Sequence, residues 1–245
     1  MKVLDLTLPT PEENLACDEA LLDWCEAGDG DEVLRFWESP EHFVVVGYAN
    51  KVAAEVNLAA CEARGIPILR RCSGGGTVVQ GPGCLNYALI MRFDEQGPLR
   101  SISTANQFIM ERNRDALASS TSALNLQRLD SQVRGHTDLA VDGLKFSGNS
   151  QRRHRHWLLF HGTFLLNFNL ALVSELLLMP SKQPDYRQAR THDEFITNLN
   201  LPAGKVKEAL QVAWHAEEAL TMLPRTEIRS LVAGSYSRKD WNFKL

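Results

Sequence analysis

The sequence has no C-x-x-C pair, no apolar run long enough to span a membrane and no excess of basic charge. Its five cysteines (17, 25, 61, 72 and 84) all fall in the first 84 of 245 residues. An odd, lopsided set without metal-ligand spacing argues against a zinc site or a disulfide framework. It fits the reduced thiols of a cytoplasmic protein. With 26 Lys and Arg against 30 Asp and Glu, the net charge of −4 points away from general binding to nucleic acid or a membrane surface. The opening MKVLDLTLPTPEEN lacks the basic-then-apolar layout of a secretory leader. There is no internal repeat, low-complexity linker or break in composition, so residues 1–245 read as one domain.

What is present alternates between strand and helix signals. Thr10-Pro11-Glu12-Glu13 predicts a capped helix start, with Cys17, Ala20, Leu21 and Trp24 on one face and a stop at Gly28 to Gly30. VLRFW (33–37), HFVVVGY (42–48), IPILRR, TVV and LNYALIMRF read as strands. Asn57 is placed to cap a short helix that Gly65 ends, and residues 103–118 have helical spacing. DLAVDGLKFSG predicts a hairpin around a type I′ turn at Asp142-Gly143, and HWLLFHGTFLLNF a further strand. LALVSELLL reads as helix, and 205–221 as an amphipathic helix with Val206, Ala209, Leu210, Ala213 and Leu220 inward. Hairpins outnumber crossovers, so the expected class is α+β with a mixed, largely antiparallel sheet flanked by helices.

The stretch RRCSGGGTVVQ (70–80) poses the functional question, because three consecutive glycines remove three side chains at once. No Lys-Ser/Thr pair follows them, so they are not a P-loop. The dinucleotide pattern fails too, since the run enters a strand and its sixth position is Val79. A simple bend between strands is one reading. The other is a ligand lying on bare main-chain N–H groups, with Arg71 available for a negative charge. A second signal is GLKFSGNSQ (143–151), where Lys145 stands between Gly143 and Gly148 and is followed by Ser147, Asn149 and Ser150. On ideal alternation Lys145 shares a strand face with Ser147. A third is His161-Gly162-Thr163.

RRCSGGG, GLKFSGNSQR and HGTFLLN, in that order, resemble the lipoate-protein ligase A family of the biotin/lipoate ligase superfamily. ENLACDEALL, VLRFWESPEHFVVVGYANKVAAEVN and the reach from FITNL to WNF extend the likeness over nearly the whole chain. The resemblance implies a fold related to biotin ligases and class II synthetases. It also implies a two-step activity, in which lipoate and ATP give lipoyl-adenylate and the acyl group passes to a lysine of a lipoyl-domain acceptor protein. Lys145 would be the catalytic lysine. Arg71, Ser73, Gly74, Gly75, Gly76 and Gln80 would line one wall of the substrate and adenylate site. Thr137, Ser147, Gly148, Asn149, Ser150, His161, Gly162 and Thr163 would line the other. Magnesium is expected with the triphosphate, and the sequence offers no unambiguous ligand set for it.

Two departures from the family pattern stand out. The chain ends at WNFKL, where the catalytic domain would finish, so the resemblance leaves two expectations: that it completes both half-reactions unaided, or that a separate small accessory protein replaces the C-terminal domain of the familiar bacterial ligases. At GHTDLAV, His136 and Thr137 replace the first two residues of an Arg-Asn-Asp triplet. The rival reading is an octanoyl or lipoyl transferase of the same superfamily, working without ATP through a cysteine thioester. No cysteine lies beyond residue 84, where the thiols of those enzymes fall. A non-catalytic lipoyl-domain-binding protein is a third reading, against which Lys145 and the glycine run both weigh. RRHRH (152–156) reads as a solvated hairpin tip rather than a nucleic-acid site.

Overall fold

The computed structural model describes residues 1–123 and 129–245. In chain order, β1 (Lys2–Asp5), α1 (Pro11–Glu26), β2 (Val33–Trp37), β3 (Phe43–Val46), α2 (Val52–Glu55), α3 (Leu58–Arg64) and β4 (Ile68–Arg70) lead to the glycine run. Beyond it come β5 (Val78–Gln80), β6 (Cys84–Arg92), α4 (Ile102–Ala123), β7 (Ser131–Arg134), β8 (Asp138–Val141), β9 (Leu144–Arg153) and β10 (Trp157–Leu165). The remainder holds α5 (Ala171–Leu176), α6 (Ala203–Ala213), β11 (Glu218–Ala219), α7 (Arg225–Leu231) and α8 (Lys239–Asn242).

Among the described residues an eight-stranded sheet runs β11-β1-β2-β6-β10-β9-β8-β7, and a small sheet runs β4-β3-β5. In the large sheet only the β11-β1-β2 edge is parallel, and the rest is antiparallel. The fold is α+β, with a mixed, largely antiparallel sheet flanked by helices. Alternation along β10 sorts the layers. Phe160 and Phe164 join Leu85, Tyr87 and Leu89 in a core shared with α4 and α6. Leu159 joins Ala88 and Ile90 in a second core under α1 and α7. His161 and Thr163 therefore point to the α1 side, and so does the site.

Local chemistry explains the elements that position it. The Thr10 hydroxyl accepts from the Glu13 N–H at 3.2 Å and the Glu13 carboxylate accepts from the Thr10 N–H at 3.1 Å, a reciprocal cap behind Pro11. Asp142 and Gly143 both have positive φ (51° and 75°), as a type I′ hairpin requires. Asn57 caps α3, and Gly65 ends it in the left-handed conformation.

Two expectations are corrected. The helix over 205–221 stops at Ala213, where the buried Trp214 caps it and His215 turns left-handed. Residues 218–219 then pair with β1, and Leu220 packs in the α1-side core rather than along α6. The apolar pattern there served two cores. In β9 a bulge interrupts the alternation. Leu139 faces Ser147 and Ala140 faces Lys145, so Phe146 has no partner on β8 and sinks into the α4-side core. Lys145 consequently shares its face with Gly148, where an added Cβ would lie 2.8 Å from the Lys145 Nζ, and not with Ser147.

Gly83 joins β5 to β6 with φ +89°, and a Cβ there would lie 2.3 Å from the Asn167 carbonyl oxygen. Its own carbonyl accepts from the N–H groups of Leu166 and Asn167. Gly83→Ala should destabilise the fold by at least about 2 kcal/mol, because the strain and the backbone contact add. The urea unfolding midpoint measures it, and an unchanged midpoint would refute the tight junction.

Candidate functional site

The α1-facing side of the sheet carries two cross-strand rungs. One runs Trp37, Asn86, Thr163, Gly148 and Asp138 across β2, β6, β10, β9 and β8. The next runs Arg35, Ala88, His161 and Ser150. The glycine loop lies over the second rung and brings Ser73 onto it.

Ser73 is the hub. Its hydroxyl lies 2.5 Å from the Nε2 of His161 and 2.8 Å from the Ser150 hydroxyl, and it accepts from the Arg71 Nε at 3.1 Å. The other imidazole nitrogen, Nδ1, lies 3.2 Å from the Asp18 carboxylate. Asp18 is held in turn by Arg35, which is fully buried and also donates to the Asn14 carbonyl and side-chain oxygens. Burial works against ionisation of Asp18. The Arg35 charge and the His161 hydrogen bond outweigh it and hold the carboxyl below its ordinary value.

Arg71 has no carboxylate partner among the described residues. Its guanidinium donates to the carbonyls of Gly74 (2.5 Å), Gly76 (2.8 Å) and Val45 (3.4 Å), so it clasps the loop from beneath. Desolvation lowers it to about 10. The glycines have separate reasons. Gly75 has φ +87°, whereas Cβ atoms at Gly74 and Gly76 would meet nothing within 4 Å. Open space lies above those two residues. The backbone N–H groups of Gly74, Gly75 and Gly76 donate to no acceptor among the described residues.

Lys145 is paired with Ala140, and its side chain reaches back to the first rung. Its ammonium is 2.7 Å from the Asp138 carboxylate, whose second oxygen accepts from the Tyr186 hydroxyl at 2.8 Å. The bulged strand is anchored from the far side by Lys145 N–H to the Phe195 carbonyl at 2.8 Å and Thr197 N–H to the Lys145 carbonyl at 2.9 Å. Bare Gly148 gives the lysine its room. Further along, the Gln80 amide donates to Thr163 at 2.6 Å and Thr163 to the Asn86 side-chain oxygen at 2.6 Å. Gln80 Oε1, Asn86 Nδ2 and Trp37 Nε1 are buried without a partner among the described residues.

The structure thus brings together Lys145, Gly148, Ser150, His161, Thr163, Gln80, Arg71, Ser73 and the three glycines. It turns Ser147 and Asn149 to the other face. The Asn149 side-chain oxygen accepts from the Tyr87 hydroxyl at 2.7 Å, in the core beneath α4. Thr137 ties down the same residue, with its hydroxyl on the Asn149 carbonyl at 2.6 Å. Gly162 is glycine because a Cβ would lie 1.7 Å from the Asn149 Oδ1. These four shape the strands rather than the cleft. Sequence reasoning missed Asp18, Arg35, Asp138, Tyr186, Asn86 and Trp37. The available signal was a charged residue inside an apolar run, in LACDEALL and VLRFW.

All five cysteines are free and buried. Desolvation raises every one of these thiols, Cys17 to about 11 and Cys25 and Cys84 to about 12. None is poised as a thiolate. Among the described residues no group of three His, Cys, Asp or Glu side chains could hold a metal ion, and no helix is long and apolar enough to cross a membrane.

Residues 10–219 match the family described as the lipoyl protein ligase A/B catalytic domain. The octanoyltransferase LipM of Geobacillus kaustophilus is 26% identical, covering 96% of this chain and 94% of its own. Lipoate-protein ligase A subunit 1 of Thermoplasma acidophilum is 25% identical, covering 98% and 96%. A crystal structure of a lipoate-protein ligase A bound with ATP superposes with a TM-score of 0.76 at 23% identity, covering 99% of this chain and 98% of that one.

The Asp18 network makes a pH prediction. A carboxyl held below its unfolded value contributes stability that is present above about pH 4 and lost as pH falls through the folded value. Asp18→Asn should therefore be less stable than wild type at pH 6 and show a shallower loss of stability below pH 4. Urea unfolding at several pH values reads both, and an acid limb as steep as wild type would exclude Asp18 as its source.

Proposed function

The chain belongs to the lipoyl protein ligase A/B catalytic-domain family, and on that premise we propose that it is an ATP-dependent lipoate-protein ligase. It would activate lipoate or octanoate as the acyl-adenylate and transfer the acyl group to a lysine of a lipoyl-domain protein. The observation that carries this reading is the Lys145 ammonium standing over bare Gly148, on the strand face that the glycine loop covers. Ser150, two residues from Gly148, bonds Ser73, so lysine and loop are separated by about 7 Å of strand.

Attack of a carboxylate on an α-phosphate brings two anions together. The site has cations for both, Lys145 from β9 and Arg71 beneath the loop, and the free N–H groups of Gly74 to Gly76 add oriented donors for phosphate oxygens. Lys145 stabilises the charge as the anhydride forms and then polarises the acyl carbonyl for the acceptor amine. Asp138 holds the ammonium in place, and the Tyr186 hydroxyl orients Asp138. Magnesium would be carried on triphosphate oxygens, neutralising their charge, since the described residues offer no three-ligand cage. A lipoyl domain is the partner this chemistry requires. A separate accessory subunit fits the likeness to a protein named as subunit 1 of a ligase.

A second reading, acyl transfer without ATP, is favoured by the likeness to an octanoyltransferase over nearly the full chain. Incubating a lipoyl domain with the protein, lipoate and ATP should add one lipoyl group by mass spectrometry. Omitting ATP should abolish it. Transfer from an octanoylated carrier protein, with no acyl-adenylate formed from lipoate and ATP, would instead establish the second reading.

Lys145→Met should lower acyl-adenylate formation at least about a hundredfold, with circular dichroism unchanged, because it removes a charge and little volume. Near wild-type pyrophosphate release would sink this mechanism. Cys72→Ala and Cys84→Ala should both retain most ATP-dependent transfer, since neither buried thiol is activated. Loss of transfer in either variant, with the fold intact, would point to a thioester route.

A further inference from the structure

The Ser73–His161–Asp18 chain has a consequence that adenylation does not use. A hydroxyl 2.5 Å from an imidazole Nε2, with the other ring nitrogen 3.2 Å from a buried carboxylate, is the arrangement that activates a serine. Recognition of such a triad rests on geometry and not on residue order. Here the members come from α1, the glycine loop and β10. Asp18 is the third group, which holds the imidazole in one tautomer, and Arg35 fixes its carboxylate. With Nδ1–H donated to Asp18, Nε2 is left to accept the Ser73 proton. Directly after Ser73 come three glycines whose N–H groups donate to nothing among the described residues, and Arg71 Nε donates to the Ser73 oxygen at 3.1 Å. The glycine N–H groups are donors of the kind a developing oxyanion needs, and Arg71 Nε holds the Ser73 oxygen in position. Ser73 is as buried as the cysteines, and what sets it apart is its base: among the described residues no thiol is hydrogen-bonded to an imidazole or a carboxylate.

We propose that Ser73 is an acyl-accepting nucleophile, activated by His161 and oriented by Asp18, that takes an acyl group from a thioester donor without ATP. The inference rests on the reading of this cleft as an acyl site. In the first step the Ser73 Oγ attacks the thioester carbonyl, its proton passes to His161 Nε2, and the C–S bond breaks. The proton then leaves with the thiolate. In the second step a lysine amine of the acceptor attacks the acyl-serine ester, forming the amide C–N bond and breaking the C–O bond. His161 takes the amine proton and returns it to Ser73. No oxidant or reductant enters.

The test uses the full chain and S-octanoyl pantetheine as the probe. Without ATP, the protein should gain one octanoyl group that peptide mass spectrometry places on Ser73. The adduct should survive neutral hydroxylamine, which cleaves thioesters, and yield to alkaline hydroxylamine. Ser73→Ala should abolish the label with the fold intact by circular dichroism. His161→Gln and Asp18→Asn should slow labelling about a hundredfold or more. Cys72→Ala should label as wild type does. No label, or a label on a cysteine, overturns the proposal. Pyrophosphate release from ATP and octanoate is measured in parallel. Adenylation without acyl-serine defeats this inference alone, and loss of both adenylation and octanoate binding defeats the reading beneath it.

Discussion

A carboxylate without water around it organises this cleft. Asp18 lies inside the protein between Arg35 and His161, and each contact is needed to offset the desolvation of the others. Leaving one charge of such a pair unpaired costs about 3–5 kcal/mol, a large share of the stability of an ordinary domain. That penalty ties four distant parts of the chain together. Helix α1 supplies the acid, β2 the arginine, β10 the imidazole, and the glycine loop the hydroxyl that ends the series. The loop buries no apolar side chain between Ser73 and Gly76, so it is held by polar bonds alone, from Ser73 to His161 and from Arg71 and Asn50 to its carbonyls.

Charge is distributed unevenly over the rest of the cleft. Lys145 is matched by Asp138 and Tyr186 at one end, whereas Arg71 is compensated only by carbonyl dipoles at the other. Carbonyls satisfy its donors but do not cancel its charge, so the cleft keeps a positive potential where the bare N–H groups also point. An anionic ligand, as the proposed reaction uses, would complete that balance.

What the sequence revealed followed the range of each signal. The Thr10 cap, the Asp142-Gly143 turn and the Gly65 terminus depend on neighbours within a few residues, and all were legible. The glycine run and Lys145 stood out because each breaks a local composition. Asp18 and Arg35 were hidden, because an acid in a helix and an arginine in a strand become informative only when the two are known to touch. The extension of α6 to residue 221 misled for a related reason. Leu220 is apolar on behalf of β1 and α7, and a periodicity argument cannot tell which core a side chain serves. Ser147 and Asn149 were placed in the cleft by their proximity to Lys145, and the one-residue bulge at Phe146 sent them to the opposite face.

That bulge gives the site an unusual kind of address. The direction of the Lys145 side chain is set by a count of residues along β9, with Phe146 as the odd one, and by the anchoring of its own main chain to residues 195–197. Composition in the hairpin is therefore freer than length. Many substitutions at the exposed positions would leave the lysine where it is, whereas one residue inserted opposite Phe146, between Leu139 and Ala140, would restore ideal alternation from Gly148 and swing the ammonium under α4. In grafting terms, the transferable unit is a spacing, and a chimaera that copied every side chain of the cleft but evened the two strands with one added residue on β8 would carry its lysine on the wrong side of the sheet.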